Sequence, residues 1–488
     1  MKKEFKNVLA PLIYQLNAMI WALLLPRLYL SEYGASIHGL SSTISTILNY
    51  VTLLSGGIGV VAAQALYSPL SKKDKTAVGQ VYRAISNSYK RIALYYGIAT
   101  VIISLILPQV IDDEIAANIV VMMMLIAGLQ ASLTCFLVST NTTLIQADKH
   151  YYYVNIIHIV ELNIRNIIQW ISISRHFSVV VVSAVPILTV FLTWLLLKHY
   201  VKNQYAYILE TSTPDYSALG QRKSGIIHQI AGLIVNSTDV IVLTIFLNQV
   251  YVSIYSVYSF VITHLHNLIN ISLSYGIVSL FGQDIVDGDI REIRKRYDRY
   301  EWIVYGINTI AYGVAIVMFI PYIMLYANSV SSINYVDNYL VLLFVVIGYM
   351  NSARIPSLTI INARGDFKQT QHQAIIESAL NLSVSLTLVQ VVGIYGILLG
   401  TVISFSYRTA VTIIYTNRRI LQRNPFNSFI RIAYSVVVIL AIKFLSIKVG
   451  YMPVTWVQWI ICSMLYAILL ALIMGGTIGL AIKCEKDK

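Results

Sequence analysis

Seven ionisable side chains interrupt otherwise apolar runs of this 488-residue chain: Arg27, Arg165, Arg354 and Arg408 against Glu161, Asp239 and Glu377. In water such placement is ordinary. In a bilayer an acid or arginine at mid-depth costs roughly 2.5–3.5 kcal/mol on insertion scales, so each must be paired, solvated or functional. The sharpest case is HQIAGLIVNSTDVIVLTIF, residues 228–246, which puts Asn236, Ser237, Thr238 and Asp239 at the middle of the run. Guanidinium forks match the oxygens of phosphate groups, and a carboxylate at depth can take up a proton or Na⁺. Arg27, Arg165, Arg354 and Arg408 are therefore candidates for holding an anion such as a diphosphate in a cavity. Asp239, Glu377 and Glu161 are the candidates for ion coupling, with H⁺ or Na⁺ as the coupling ion; no cofactor or metal is expected.

Spacing refines these assignments. Glu161 and Arg165 are four apart and share a helical face. Arg354 and Glu377 lie on either side of the Arg364-Gly365 turn, at similar distances back and forward along the chain. At 1.5 Å per residue both reach a similar depth, so they are expected to pair across a helical hairpin. A purely structural role, stapling neighbouring helices, fits both pairs as well. Asp239 has no partner nearby in sequence, which favours a water-lined, ion-coupling position over packing. The face bearing Asn236 and Asp239 is expected to look into a cavity. Arg408, nearer the inner surface, and Arg27, just after Pro26, also suit snorkelling to the interface. Many of the 35 tyrosines fall at the ends of apolar runs, as interface anchors do. Tyr50, Tyr255, Tyr258 and Tyr275 lie within or near the runs themselves, where an aromatic face with a hydroxyl could meet sugars or simply pack.

The elements that must position these groups follow from composition. The chain is 57% hydrophobic and only 12% charged, about half the charge of a soluble domain. Apolar stretches of span length recur from end to end, about fourteen in all, and β alternation is absent. The expected class is an all-α polytopic membrane protein. Of the 35 Lys and Arg residues, 28 fall on one side if the spans alternate, including Lys72, Lys73, Arg294 and Lys295. By the positive-inside rule that side is the cytoplasm, with both termini inside. The net charge of +13 thus sets topology and meets anionic lipid rather than nucleic acid. Cys135, Cys462 and Cys484 form no spaced pair, which argues against a disulfide framework or a CxxC metal site. The basic-then-apolar start lacks a small-x-small cleavage site and is read as a retained first helix.

A shift of 217 residues lays SIHGLSSTISTILNYVTLLSGGIG, 36–59, over SIYSVYSFVITHLHNLINISLSYG, 253–276. Ser36, Ile37 and Gly59 then meet Ser253, Ile254 and Gly276. QADKHYYYVNIIHIVELN and NARGDFKQTQHQAIIESALN open later spans in parallel fashion. The expected organisation is a six-helix bundle over 1–200, a cytoplasmic linker over 201–225, a second bundle over 226–417, and a further helix pair with tail over 418–488. Parallel repeats point to a transporter with its site between the halves. No GxxxxGK[ST], HExxH or GxSxG stretch occurs, so the chain reads as a conduit rather than an enzyme. SGGIGVVAAQ lies inside a span and suits close helix packing by small residues. The two imidazoles of HLH, 264–266, point to nearly opposite helix faces and cannot share a metal.

The blocks LPRLYLSEYGASIHGLSSTISTILNYVTLLSGGIG, HQIAGLIVNSTDVIVLTIFLNQVYVSIYSVY and NARGDFKQTQHQAIIESALNLSVSLTLVQVVGIYGILLGTVISFSYR resemble bacterial polysaccharide-export flippases of the Wzx type. These belong to the multidrug/oligosaccharidyl-lipid/polysaccharide exporter superfamily, and the resemblance spans roughly residues 8–416. It implies two six-helix bundles around a central cavity and ion-driven alternating access. It implies as substrate an undecaprenyl-diphosphate-linked oligosaccharide, moved from the inner to the outer leaflet of the bacterial cytoplasmic membrane for capsule or exopolysaccharide. A polysaccharide polymerase and glycosyltransferases are the expected protein partners. Lipid II flippases of the same superfamily line their cavity with arginines, one on the first helix, and Arg27 is the match to that pattern. The acids of the drug-exporter cation site find no secure counterpart. Competing readings are a teichoic-acid-precursor or lipid II flippase, and a multidrug cation antiporter. A membrane polymerase or ligase would need a large outer loop, and the outer loops here are short.

The charge sorting predicts that Lys72, Lys73, Arg294 and Lys295 face the cytoplasm, and Asp112 and Asp113 the outside. Single cysteines at these positions should be labelled by an impermeant maleimide only from those sides. Labelling of position 73 from outside would invert the whole topology.

Overall fold

A computed structural model describes residues 2–52, 58–111, 115–210, 213–217, 232, 237–287, 290–328 and 333–486. Among the described residues there are helices and no strands, and ten of the helices are long and apolar enough to cross a bilayer. The all-α polytopic class is therefore what the chain adopts. In hydrocarbon a helix satisfies its own backbone, which is why an apolar chain of this kind folds into little else. Two compact units divide it: Met1–Leu233 with Leu243–Ser253, and Ile234–Val242 with Ile254–Lys488.

The first unit contains α1 (Lys2–Val51), α2 (Ile58–Ser71), α3 (Lys75–Ile106), α4 (Ala117–Leu133), α5 (Ser139–Ala147), α6 (Tyr151–Ser174) and α7 (Val179–Gln204). The spans expected over 8–28 and 38–67 open as one helix, α1, broken at Gly34, whose φ of 79° and ψ of 177° leave the helical region. A side chain there would strain the backbone, so glycine makes the break. α4 and α5 form one span through a π-helical turn, Thr134–Val138. α6 has the length of a span but is too polar to count among the ten, because Asn155, Glu161, Asn163, Arg165, Asn166 and Gln169 interrupt it. Its polar face is used for packing. Asn163 exchanges amide hydrogen bonds with Asn17 of α1 at 3.1 and 3.3 Å and accepts one from the Trp21 indole at 2.9 Å. The apolar core gathers Leu66, Ile85, Leu144 and Leu197, all fully buried.

The second unit is built from α8 (Ser237–Phe246, whose last residues count with the first unit), α9 (Gln249–Asp287), α10 (Ile290–Ile323), α11 (Asn338–Ala353), α12 (Ile355–Arg364), α13 (Phe367–Val392), α14 (Ile394–Tyr415), α15 (Phe426–Val449) and α16 (Trp456–Lys486). The final helix pair, α15 and α16, packs on α10 within this unit. Gly306 and Gly313 share a face of α10; a Cβ there would come within 2.9 Å of Ile478 and 2.7 Å of Leu470 on α16. Small residues bring the two helices into direct backbone-to-side-chain contact, as apolar helices in lipid require. The expected spans 226–247 and 251–281 and the linker 201–225 include residues or side chains outside the described ones, and Asp112, Asp113 and Asn236 lie outside them.

An ionic cluster joins α10 to α15 and to the turn before it. Arg423 reaches Glu301 at 2.9 Å and also Asp298; Arg431 reaches Asp298 at 2.5 Å and also Glu301. Arg423 stacks over the Tyr297 ring and Arg431 over Trp302, at 4.9 and 5.1 Å. Arg294 donates to the carbonyls of Leu421 and Gln422. Two of the basic residues counted toward topology are thus neutralised inside the protein.

Glu301 is fully buried, whereas the Asp298 side chain keeps 26% of its surface exposed. Glu301→Gln leaves both arginines leaning on Asp298 alone and should destabilise by about 3–5 kcal/mol. Asp298→Asn should cost clearly less. Thermal unfolding of the detergent-solubilised protein checks the order; equal losses would mean that burial of Glu301 is not what makes the cluster matter.

Candidate functional site

The kink between α11 and α12 positions the first functional side chain. Pro356 lacks the N–H that would continue the helix, and Arg354 sits at the junction, capping one helix and starting the next. Its guanidinium meets Glu377 of α13 at 2.5 Å, reaches the Asn351 amide oxygen, and lies 4.8 Å over the Phe405 ring. This is the pair expected from matched depth. A third member joins it: Arg408 of α14 stands 3.7 Å from the other carboxylate oxygen of Glu377 and donates to the Thr370 carbonyl at 3.3 Å. Arg408 is only 6% exposed, which corrects the expectation that it snorkels to the cytoplasm. Pairing with a buried acid, together with a backbone carbonyl, outweighs the reach to water. Two arginines share one carboxylate, so the triad carries one formal positive charge in a buried setting. Beside it, Ser352 links His266 at 2.9 Å and Tyr312 at 2.8 Å, which gives this imidazole of HLH a polar partner.

Asp239 lies in a second polar centre of the same unit. Its Oδ2 accepts from Thr401 of α14 at 2.9 Å and from the Tyr255 hydroxyl of α9 at 3.0 Å. Asn381 of α13 donates to the same Thr401 oxygen at 3.0 Å. Asp239 is 2% exposed, and its second oxygen, Oδ1, is buried with no hydrogen-bond partner among the described residues, as is Oδ1 of Asn381. Asp239 has no partner nearby in sequence, as expected; its partners are distant in the chain and pack it into a polar centre. Ser237 and Thr238, its neighbours in the polar cluster, are also buried.

In the first unit Glu161 accepts from Arg165 at 3.0 Å and from Thr189 of α7 at 2.9 Å, so the pair ties α6 to α7. Arg27 is half-buried on α1, one residue after Pro26. The four arginines thus fall into separate settings: Arg27 and Arg165 in the first unit, Arg354 and Arg408 together in the second. The tyrosines divide too. Tyr258 is fully buried, donates to the Tyr335 carbonyl at 2.7 Å, and lies between Phe319 and Phe344 at 5.2 and 5.4 Å. With hydroxyl and both ring faces occupied, it is a core residue, which corrects the expectation of a sugar contact. Tyr255 is committed to Asp239. Tyr50 is half-buried on α1, and the side chain of Tyr275 lies outside the description. Asn381 and Thr401 were not singled out from sequence. Their only signal is polarity within an apolar hairpin, and Thr401 meets an acid 162 residues earlier.

Solved structures share this architecture. A multidrug resistance transporter of the MATE family and MOP superfamily, in an inward-facing conformation, matches with a TM-score of 0.66 at 14% identity, covering 83% of this chain and 94% of its own. The lipid II flippase MurJ, in an inward closed conformation, matches with 0.67 at 11% identity, covering 98% and 99%. The Vibrio cholerae MATE transporter VcmN matches with 0.56 at 14% identity, covering 87% and 98%. No family model matches the chain, and no curated protein matches it by sequence. At these identities the likeness establishes the fold alone.

The triad sets an order of importance. Glu377→Gln strands two arginines and should destabilise more than Arg354→Gln or Arg408→Gln, by about 3–5 kcal/mol. Exchanging the partners, Arg354→Glu with Glu377→Arg, should recover part of the loss, since the new guanidinium then faces Arg408. Thermal unfolding in detergent reads both; a double variant no more stable than either single one would show that the pair is not what holds α11–α12 to α13.

Proposed function

We propose that this chain is a flippase of the bacterial cytoplasmic membrane, with both termini in the cytoplasm. It carries undecaprenyl-diphosphate-linked oligosaccharide units from the inner to the outer leaflet for surface polysaccharide synthesis. It works by ion-coupled alternating access, alongside glycosyltransferases that build the unit and a polymerase that consumes it. The observation that carries this reading is the Arg354–Glu377–Arg408 triad: a buried, net-positive site built into a transporter fold. Guanidinium groups held in low dielectric but not fully neutralised suit a diphosphate, which competes with Glu377 for them in fork geometry. A fold shared with a lipid II flippase supports a lipid-linked substrate of this class. Lipid II itself or a teichoic-acid precursor would satisfy the same chemistry. The multidrug reading draws on the MATE neighbours, but a cationic drug gains nothing from two arginines around one acid.

Asp239 suits the coupling role. Neutral hydroxyls hold one of its oxygens, and the other, buried with no hydrogen-bond partner among the described residues, suits a proton or Na⁺. A ligand that binds one conformation better shifts the equilibrium between conformations, and an ion on Asp239 would supply that bias.

Two outcomes are expected. In a strain lacking the gene, labelled undecaprenyl-diphosphate glycan should accumulate in the inner leaflet; drug sensitivity without a glycan defect would favour the antiporter. Asp239→Asn keeps acceptors for Tyr255 and Thr401 while removing the charge, so the variant should insert and fold yet slow export by about tenfold or more. Normal export by a well-expressed Asp239→Asn protein would remove this carboxylate from the mechanism.

A further inference from the structure

The first unit contains a cavity of about 460 Å³ that none of the charged centres uses. That volume is within the range of about 300–1,000 Å³ typical of small-ligand sites. One wall is the face of α5 bearing Ser139, Thr142, Thr143 and Gln146, spaced as successive positions of a single helical stripe. The opposite wall is α2, where Gly59 and Ala63 leave room and Gln64 and Tyr67 supply polar and aromatic groups. SGGIGVVAAQ, read as a packing stretch, thus ends in a cavity floor. Tyr89 closes a third side, its hydroxyl 3.2 Å from that of Thr143, and His158 of α6 completes the lining. Tyr67 is 53% exposed, so the cavity opens at the surface of the unit.

The chemistry of this lining is selective. Among the described residues around it, none is an acid, a lysine or an arginine. A diphosphate would lack cations there and a cationic drug would lack an anion. Hydroxyls and carboxamides both donate and accept, which is what a sugar ring offers in return, and Tyr67 and Tyr89 add aromatic surface for its C–H faces. The Thr142 hydroxyl oxygen is buried without a hydrogen-bond partner among the described residues, a cost inside a membrane protein unless something polar enters. α5 ends at Ala147, next to Lys149, and α2 ends at Ser71, next to Lys72 and Lys73. The charge sorting puts these ends at the cytoplasm, where a glycan would be loaded.

We infer that this cavity is a binding subsite for a neutral sugar residue of the transported unit. The inference rests on the flippase reading and adds the place where the glycan, rather than its diphosphate, is sensed. The test uses the full-length protein in lipid nanodiscs. The probes are undecaprenyl diphosphate alone and the same carrier bearing glucose, galactose, N-acetylglucosamine or N-acetylgalactosamine. At least one glycosylated carrier should bind about tenfold tighter than the bare one, the worth of one or two buried hydrogen bonds. Thr142→Val with Gln146→Leu should abolish that preference and leave affinity for the bare carrier unchanged, which also reports that the protein is folded. Ser139→Ala, a milder change, should reduce the preference partway. If the variants keep the preference, or if the wild type binds bare and glycosylated carriers alike, the sugar subsite is overturned while the flippase reading stands. If no carrier binds, that reading fails and the subsite with it.

Discussion

A charge that enters hydrocarbon has to be met by the protein, since lipid offers it nothing. That constraint organises most of what distinguishes this chain from a set of apolar helices. Glu301 draws two arginines and thereby fixes α15 and the preceding turn to α10. Glu377 draws two more and joins three helices at a kink that Pro356 creates. Glu161 takes Arg165 and a threonine hydroxyl and so ties α6 to α7. Each carboxylate acts as a node, and the helices around it are arranged to bring cations or hydroxyls to one point.

Asp239 is solved differently. Among the described residues its hydrogen-bond donors are Thr401 and Tyr255, both neutral, and none reaches its other oxygen. Breaking an ion pair in low dielectric strands a full charge, whereas releasing a hydroxyl strands only a dipole. Releasing an arginine-bound acid is therefore costlier than releasing Asp239 from its hydroxyls.

Much of this was open to a reading of the sequence, for reasons that can be traced. Apolar length and sparse charge give the helical membrane class directly. Arg354 and Glu377 could be matched because they flank one tight turn, so that depth follows from counting. Thr401 could not be matched to Asp239, because depth alone leaves every polar residue at that level as a candidate partner. Arg408 looked close to the surface by counting, but Glu377 competes with water for it. Tyr258 had the residue type of a sugar contact, and only the Phe319 and Phe344 rings on its faces reveal a core role. Gly59 and Ala63 had the signature of tight packing; small residues leave space as readily as they close it.

The π-helical turn at Thr134–Val138 carries one residue more than an α-helical turn of similar height. Each residue turns a helix by about 100°, so that one extra residue sets the rotational phase of everything after it. Before the turn, α4 is nearly uniform in its apolarity. After it, α5 carries its hydroxyls and carboxamide on one stripe. A single-residue deletion in this turn would barely shorten the span, yet it would swing that stripe away from the cavity. Among homologues, length changes confined to this turn would then act as a dial on what the first unit admits, with no residue of the α5 stripe altered.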